Sequence, residues 1–354
     1  MAKESICIKV PKKQGEETII LANKLTIINN DLMLQRDENS IYIPLRSRPQ
    51  EDALRALKEQ IANIEVTVYV FTEKKRKESL ADLLENKLPP RLLASLPHSA
   101  DFVGNIAIIE IPPELEAHKA IIGEALLKAN KNTQTVLAKA GAVSGTCRLR
   151  EFAVIAGEPK TETIHKEYGC RFFVDVARAY FSPRLSNEHH RVASLVKEGE
   201  TVVDLFAGIG PFAIQIAKTH ENVKVYAIDV NPDAIEYLKK NVRLNRVDGK
   251  IYPFCGDAQK VVDKKLLGIA DRVIMNLPEK AMEFVGTACK AIRQTGGVVH
   301  FYCFEKASES LENAQARFSQ IAKRSGKRVK ILFSRSVRET APYEWQIVLD
   351  AEVG

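Results

Sequence analysis

Twelve consecutive residues constrain this chain more than any others: Thr201-Val-Val-Asp-Leu-Phe-Ala-Gly-Ile-Gly-Pro-Phe212. A short apolar run ends in Asp204, turns through Gly208 and Gly210, and passes into a helical pattern. Strand, glycine turn and helix start in this order open the nucleotide-binding units of doubly wound parallel sheets. The spacing is acidic-x-Phe-x-Gly-x-Gly. The third glycine of a dinucleotide fingerprint is missing, and Phe212 stands near its place. Gly208 and Gly210 are expected to let the backbone approach a ligand where a side chain would collide. A second run, Val223-Lys-Val-Tyr-Ala-Ile-Asp229, also ends in an acid. A carboxylate at a second strand's tip accepts hydrogen bonds from ribose hydroxyls.

This form of the glycine turn resembles the first motif of S-adenosylmethionine-dependent methyltransferases. From about Ser186 onward the pattern is βαβ at parallel-sheet spacing. A helix is predicted over residues 231–245, opened by Asn231 as cap and Pro232 behind it. Strands are predicted over 271–276, 297–303, 329–333 and 345–350. The first sixty-odd residues alternate strand-like runs (6–10, 40–44, 66–71) with one helix over 51–61. Glu73-Lys-Lys-Arg-Lys-Glu78 is a charged joint. A second block carries a helical stretch over 80–96 broken at Pro89-Pro90, a strand or strand pair over 102–111 and a helix over 113–129. Strands over 147–156, 161–165 and 170–175 follow. The expected fold class is α/β: a class I, Rossmann-like methyltransferase domain preceded by two smaller α+β domains. The expected boundaries are 1–70, 75–170 and 171–354.

A formal net charge of +7 permits a polyanionic partner. No apolar run suits a bilayer span or a signal peptide, so no membrane association is expected. The six cysteines form no Cys-x-x-Cys pair. They read as reduced, mostly buried thiols of a cytoplasmic protein. No Cys/His ligand cluster suggests a metal. No Pro-Cys dipeptide occurs, which argues against covalent pyrimidine C5-methylation.

Arg272-Val-Ile-Met-Asn276-Leu-Pro278 ends a strand in Asn with a rigid proline two residues on. Class I enzymes acting on amino nitrogens use Asn or Asp, Pro-Pro and an aromatic here. This variant continues with Glu279, and Asn276 alone reads equally as a turn former. Tyr180-Phe-Ser-Pro-Arg-Leu-Ser-Asn-Glu188-His189 places a carboxylate at a helix start, where the dipole favours it. Upstream, Cys147-Arg148-Leu-Arg150-Glu contains an arginine that reads equally as part of a solvated strand edge.

Taken together, Arg-x-Arg-Glu, Ala-Gly-Glu, Thr-x-Thr-Ile-His-Lys-Glu-x-Gly, Tyr-Phe-Ser-Pro-Arg-Leu-x-x-Glu, Asp-x-Phe-Ala-Gly-Ile-Gly-Pro-Phe, Ala-Ile-Asp-x-Asn-Pro and Asn-Leu-Pro resemble the archaeal-eukaryal tRNA guanine-37 N1-methyltransferase family over nearly the whole chain. The resemblance implies S-adenosyl-L-methionine as cofactor, a tRNA with guanosine at position 37 as partner, and a monomer. It implies Glu188 as general base, Arg148 beside the guanine, and Asn276 on the base edge with Pro278 shaping its loop. Tyr180 would support the methionine side of the cofactor. Asp204, Phe206, Gly208 and Gly210 would form its motif, Asp229 and Val230 would hold the ribose, and Asp257 and Ala258 the adenine. The family usually has Arg after the catalytic Glu, and His189 stands there in this chain.

The implied chemistry is removal of the N1 proton by Glu188 as the methyl transfers, with Arg148 donating to O6 as charge develops there. Position 37 lies in a loop, so its base must be splayed out. Lys323-Arg324, Lys327-Arg328, Arg335 and Arg338 are candidate phosphate contacts that read also as plain solvated charge. Three other readings share parts of this pattern. One is the aminocarboxypropyl transferase of wybutosine synthesis, which should lack the Pro-Arg-Leu-x-x-Glu present here. Another is methylation of a later tricyclic intermediate. The third is a non-catalytic tRNA-binding factor.

Overall fold

The computed structural model describes residues 2–74, 78–97, 99–141, 145, 149–306, 311–341 and 343–354. The expected arginine at 148 and the middle of the charged joint lie outside the described residues. The chain divides into two units, Met1–Ser79 and Leu80–Gly354.

The first unit contains β1 (Ala2–Pro11), α1 (Gly15–Lys24), β2 (Gln35–Arg36), β3 (Ser40–Pro44), α2 (Glu51–Gln60) and β4 (Glu65–Thr72). Its antiparallel sheet has the order β2-β3-β1-β4. Ile8, Val10, Ile43, Leu45 and Leu57 fill the core. Helix α1 was not expected. It buries Gly15, Thr18 and Ala22, small residues at helical spacing that apolar periodicity does not register. A Cβ on Gly15 would lie 2.2 Å from Ile41 Cδ1, so a larger residue there would have to displace the Ile41 side chain on β3.

The second unit begins with α3 (Leu80–Leu84), α4 (Pro90–Ala94), β5 (Asp101–Val103), β6 (Ile106–Ile109), α5 (Lys119–Ala129), β7 (Thr135–Lys139) and β8 (Phe152–Gly157). The expected helix over 113–129 opens as a 3-10 turn, Pro113–His118, before α5. A four-stranded sheet in the order β5-β6-β7-β8 packs under α5. The hairpin β9 (Glu162–Glu167) and β10 (Cys170–Asp175) follows. It runs across the expected 170/171 boundary, because β10 packs on the helices of the following sheet.

The remaining elements are α6 (Ser186–Leu195), β11 (Thr201–Asp204), α7 (Pro211–Thr219), β12 (Lys224–Asp229), α8 (Pro232–Asn245), β13 (Ile251–Cys255), α9 (Ala258–Lys265), β14 (Arg272–Met275), α10 (Val285–Ala291), β15 (Gly297–Lys306), α11 (Leu311–Arg324), β16 (Val329–Ala341) and β17 (Glu344–Val353). They build a seven-stranded sheet in the order β13-β12-β11-β14-β15-β17-β16. The first five strands are parallel, and β17 and β16 are antiparallel additions. Both faces are covered. Val202, Ile274, Tyr302 and Val348 belong to one core, and Val203, Val273, Phe301 and Leu349 to the other. Strands covered on both faces read as continuous apolar runs, which is why β11 and β14 were legible. The edge strand β16 is longer than expected, since its half-exposed residues lack such a run.

Two asparagines one turn apart on α8 replace a missing strand neighbour for β10. Asn241 accepts from the Phe173 N–H at 2.6 Å and donates to Phe173 O at 3.0 Å and Ile209 O at 3.1 Å. Asn245 accepts from the Arg171 N–H at 2.8 Å and donates to Arg171 O at 2.6 Å. Both are buried. A side-chain amide carries the same donor and acceptor as a peptide group, so the strand edge is satisfied without a strand.

No helix among the described residues is long and apolar enough to cross a membrane. Cys7, Cys170, Cys289 and Cys303 are buried free thiols, and Cys255 is exposed.

Asn241→Leu removes the side-chain partner of three backbone groups at once, the Phe173 N–H, Phe173 O and Ile209 O. Each orphaned group costs about 1–3 kcal/mol. Urea unfolding should show a loss of at least about 2 kcal/mol, and an unchanged midpoint would mean that β10 needs no edge partner.

Candidate functional site

The parallel strands β11, β12, β13 and β14 all end at one side of the sheet. The chain runs outward from β11 to β13 and then returns to β14 on the other side of β11. Open α/β sheets bind ligands at this reversal, beyond the carboxyl ends of the strands. A cavity of about 280 Å³ lies there.

Each wall of the cavity is a strand tip or the turn after it. Phe206 and Gly208 come from the turn after β11, Asp229 and Val230 from the tip of β12, Asp257 and Ala258 from the start of α9, and Asn276 from the end of β14. Tyr180 and His189 close another side. The loop holding Tyr180 is pinned to β12. The Asn231 side chain caps α8 by accepting from the Asp233 N–H at 3.0 Å and donates to Arg178 O at 2.8 Å. Arg178 pairs with Asp233 through two hydrogen bonds, at 2.5 and 3.2 Å.

The turn itself is set by backbone conformation. Gly208 and Gly210 have φ of +55° and +92°, the left-handed region that glycine adopts without strain. Gly210 is not on the cavity wall. A Cβ there would lie 2.3 Å from Leu238 Cδ1, so its requirement is packing against α8 rather than approach to a ligand. Gly208 does face the cavity, and its N–H donates to Asp229 Oδ2 at 2.7 Å. Asp229 Oδ1 accepts from the Asn231 N–H at 2.8 Å. A carboxylate has about four acceptor positions, so this one retains capacity for hydroxyl donors. Burial pushes its pKa up, and the backbone donors only partly oppose that.

Asp204 lies behind the wall, fully buried. Its Oδ1 accepts from the Phe206 N–H at 3.3 Å, while Oδ2 has no partner among the described residues. Burial pushes its pKa up to about 7, with the Phe206 N–H opposing and Asp229 adding to the rise. An unpartnered buried oxygen, a left-handed glycine turn and an acid at the next strand tip fit an adenosine-bearing cofactor.

His189 takes the place expected for arginine. Its Nδ1 lies 2.9 Å from Glu167 Oε2, and its ring meets Phe212 edge-on at 4.6 Å. Glu167 also accepts from Gln215 Nε2 at 3.1 Å and lies 3.4 Å from His165 Nε2. Burial raises the Glu167 carboxyl, but His165 and His189 bring it below the usual range. Glu167, near the end of the Thr-x-Thr-Ile-His-Lys-Glu-x-Gly segment, therefore holds position 189.

Glu188 does not line the cavity. It is buried, and its Oε2 accepts from Arg191 Nε at 3.0 Å and from the Tyr302 hydroxyl at 2.8 Å. Its Oε1 accepts from Arg335 Nη2. Burial raises this carboxyl, yet the bonds from Arg191 and Arg335 more than offset that and leave its pKa below the usual range. Arg191 reaches on to Asp350 at 2.6 and 3.3 Å. Asp350 holds His300 Nδ1 at 2.6 Å, and Arg272 donates to His300 Nε2 at 2.8 Å. Because Nε2 accepts, Nδ1 carries the proton and His300 is neutral, consistent with burial holding its pKa down. Neither Arg191 nor this chain of partners was legible beforehand. Pro278 is likewise off the wall, although Leu277 and Glu279 are on it. Asn276 Oδ1 accepts a long hydrogen bond, 3.5 Å, from Gln346 Nε2.

Against known proteins, a TRM5/TYW2 methyltransferase domain model matches residues 163–332, a TYW2 N-terminal domain model 80–161, and a tRNA methyltransferase 5 N-terminal domain model 7–53. The chain is 38% identical to the tRNA (guanine(37)-N(1))-methyltransferase Trm5b of Pyrococcus abyssi, over 99% of each chain. The chain belongs to the tRNA (guanine-37 N1)-methyltransferase family. Among solved members it resembles aTrm5 in complex with tRNALeu, at 32% identity and TM-score 0.69 over 99% of this chain and 100% of that one. It also resembles Methanocaldococcus jannaschii Trm5 in complex with adenosine, at 33% identity and TM-score 0.65 over 98% of each.

The Asp204 carboxyl supplies a test with a definite sign. Its folded pKa of about 7 lies above the unfolded value near 3.9, so the folded chain binds the proton more tightly. Stability from this group is present below about pH 4 and is lost as pH rises toward 7. Asp204→Asn cannot titrate. Thermal scans of the cofactor-free protein should show the melting temperature of the variant gaining on wild type between pH 4 and pH 8. A constant difference would mean that Asp204 is not shifted.

Proposed function

We propose that this protein transfers the methyl group of S-adenosyl-L-methionine to N1 of guanosine 37 in tRNA. The observation that carries the reading is the meeting of Asp229, Asp257, Tyr180 and Asn276 around one cavity at the reversal of the sheet. Membership of a family whose relatives are named for this reaction supports it. The rival aminocarboxypropyl transfer is disfavoured by the Pro183-Arg-Leu-x-x-Glu188 segment and by the tRNA methyltransferase 5 N-terminal match at residues 7–53.

The sulfonium of the cofactor supplies an electrophilic methyl group. The protein's task is then to hold the parts in line and to take one proton. Asp229 and Val230 hold the ribose, Asp257 and Ala258 the adenine, and Phe206 and Gly208 shape the floor. Tyr180 and His189 enclose the methionine side. Asn276, fixed at the end of β14, orients the guanine edge. Glu188 removes the N1 proton. Arg148, on the family pattern, donates to O6. The first 70 residues engage the tRNA away from the reacting base, and residues 75–170 position the RNA over the catalytic domain.

The test is incubation with labelled cofactor and tRNA transcripts that differ only at position 37, followed by identification of the modified nucleoside. Methyl on N1 of guanosine 37 is expected, and methyl on any other atom overturns the assignment. Under single-turnover conditions Glu188→Gln should lower the rate by roughly two to four orders of magnitude while the affinities for cofactor and tRNA hold. A near-normal rate would make Glu188 a structural carboxylate.

A chain beginning at Ser79 should bind cofactor as the full chain does, since every proposed cofactor residue lies at or beyond Tyr180. It should bind full-length tRNA more weakly. Equal tRNA affinity, measured by filter binding, would remove the proposed role of the first 70 residues.

A further inference from the structure

The proposed base is held by cations. Glu188 Oε1 is taken by Arg335 Nη2, from the edge strand β16. Three residues along the same strand, Arg338 Nε donates to Gln346 Oε1 at 2.9 Å, and Gln346 Nε2 in turn reaches Asn276 Oδ1 at 3.5 Å. In a regular strand, residues three apart point to opposite faces. Here the register shifts between Ser336 and Arg338, so Arg335 stands opposite Val348 and Arg338 opposite Gln346. Val348 and Gln346 are two apart on β17, so the bulge returns both arginines to one face. The irregularity thus lets one strand hold Glu188 directly and Asn276 through Gln346.

We propose that Arg335 and Arg338 form an RNA-sensing latch: without RNA they hold Glu188 and the Gln346–Asn276 pair, and backbone phosphates of the bound tRNA draw the two guanidinium groups away, freeing Glu188 for the base. This rests on the reading of Glu188 as the general base. The exposures favour it. The Arg335 side chain is 45% exposed, whereas Glu188 is 1% exposed. The cation stands at the surface and its carboxylate inside, so a phosphate reaches the arginine first. Arginine binds phosphate with the same two-pronged geometry as carboxylate, which makes the exchange between them direct. Arg191 is only 20% exposed and is held by both oxygens of Asp350, so it stays.

After the exchange Glu188 keeps Arg191 and the Tyr302 hydroxyl on Oε2, and Oε1 is open. The N1–H bond of guanine then breaks toward Oε1. The N1 electron pair forms the bond to the methyl carbon, and the carbon–sulfur pair leaves on sulfur. The charged and titratable groups around Glu188 are Arg191 on its own helix, Tyr302 and His300 on β15, Asp350 on β17 and Arg335 on β16. Of these the latch moves only Arg335. Loss of that cation raises the proton affinity of Glu188, so tRNA binding should carry proton uptake that grows as pH falls into the carboxylate range.

Titration calorimetry of the full chain with saturating S-adenosyl-L-homocysteine, which has no methyl group to transfer, and a guanosine-37 tRNA transcript, in two buffers of different ionisation enthalpy at several pH values descending toward about 4.5, the ordinary glutamate range, reads that uptake. Wild type should take up more protons than Glu188→Gln. Arg335→Ala should match Glu188→Gln, because its carboxyl is already released, and its salt slope for tRNA should fall by about one. Arg335→Gln should repeat the result, with thermal scans and cofactor affinity confirming an intact fold. Equal uptake by wild type and Glu188→Gln, or full uptake retained by Arg335→Ala, overturns the latch. A slow Glu188→Gln enzyme together with that outcome leaves the base in place and removes only the latch. A fast Glu188→Gln enzyme removes the base itself.

Discussion

The arrangement of the catalytic domain depends on the Arg191 guanidinium. It joins a carboxylate of its own helix, Glu188, to a carboxylate of β17, Asp350. Buried ions are tolerated only when paired and hydrogen-bonded, and removal of one partner strands the others. Two carboxylates and two guanidiniums, with Arg335 as the second, balance in charge here. Tyr302 and neutral His300 fill the remaining hydrogen-bond positions. Burial and the pairing with His300 and Arg191 act in opposition on Asp350, and the pairing brings its pKa down to about 2. The cluster therefore keeps its charges throughout the ordinary pH range and docks α6 on the sheet in one orientation.

That orientation decides what the next residue does. Adjacent positions on a helix point about 100° apart, so fixing Glu188 toward β15 and β16 turns His189 toward the cavity. Glu167 then holds the imidazole from the hairpin, and Asn241 and Asn245 hold the hairpin from α8. The cavity wall at His189 and the ion cluster at Glu188 are thus opposite consequences of one docked helix. The sheet reversal supplies the cavity, and α6 separates it from the cluster.

The strands and the glycine turn were legible because local grammar determines them. Strand β11, the Gly208 turn and the Asn231-Pro232 helix start need only neighbouring residues to be read. Asp229, Asp257 and Asn276 line one cavity because strand tips at a sheet reversal converge there, which their place at the ends of apolar runs lets the sequence suggest. Gly210 answers its own φ of +92° and the nearness of Leu238 on α8, and the second of these lies far along the chain. Arg191, Gln346 and Asp350 gave no signal, and Arg335 was read only as a phosphate contact. Each is an ordinary charged or polar residue until the β16–β17 hairpin meets α6 across more than a hundred residues of chain. Helix α1 was missed for a related reason: its contact face is made of small residues whose burial shows only once β3 is in place.

Two buried carboxylates in this domain are displaced in opposite directions, and the difference shows what a resting site requires. Asp204 has no cation beside it, so desolvation dominates and its proton is held up to about pH 7. Glu188 is equally shielded from water but faces two guanidiniums, which overcome desolvation. A carboxylate held in that way is ionised yet a poor proton acceptor, because a guanidinium already donates to each of its two oxygens. Its basicity rises only if a cation leaves, and Arg191 cannot leave without stranding Asp350. The exposed guanidinium of Arg335 is the one whose departure the cluster tolerates, since a second anion at the surface restores its pairing. A site that must ignore water and act on one nucleotide gains selectivity from this, because the anion that displaces Arg335 is part of the substrate.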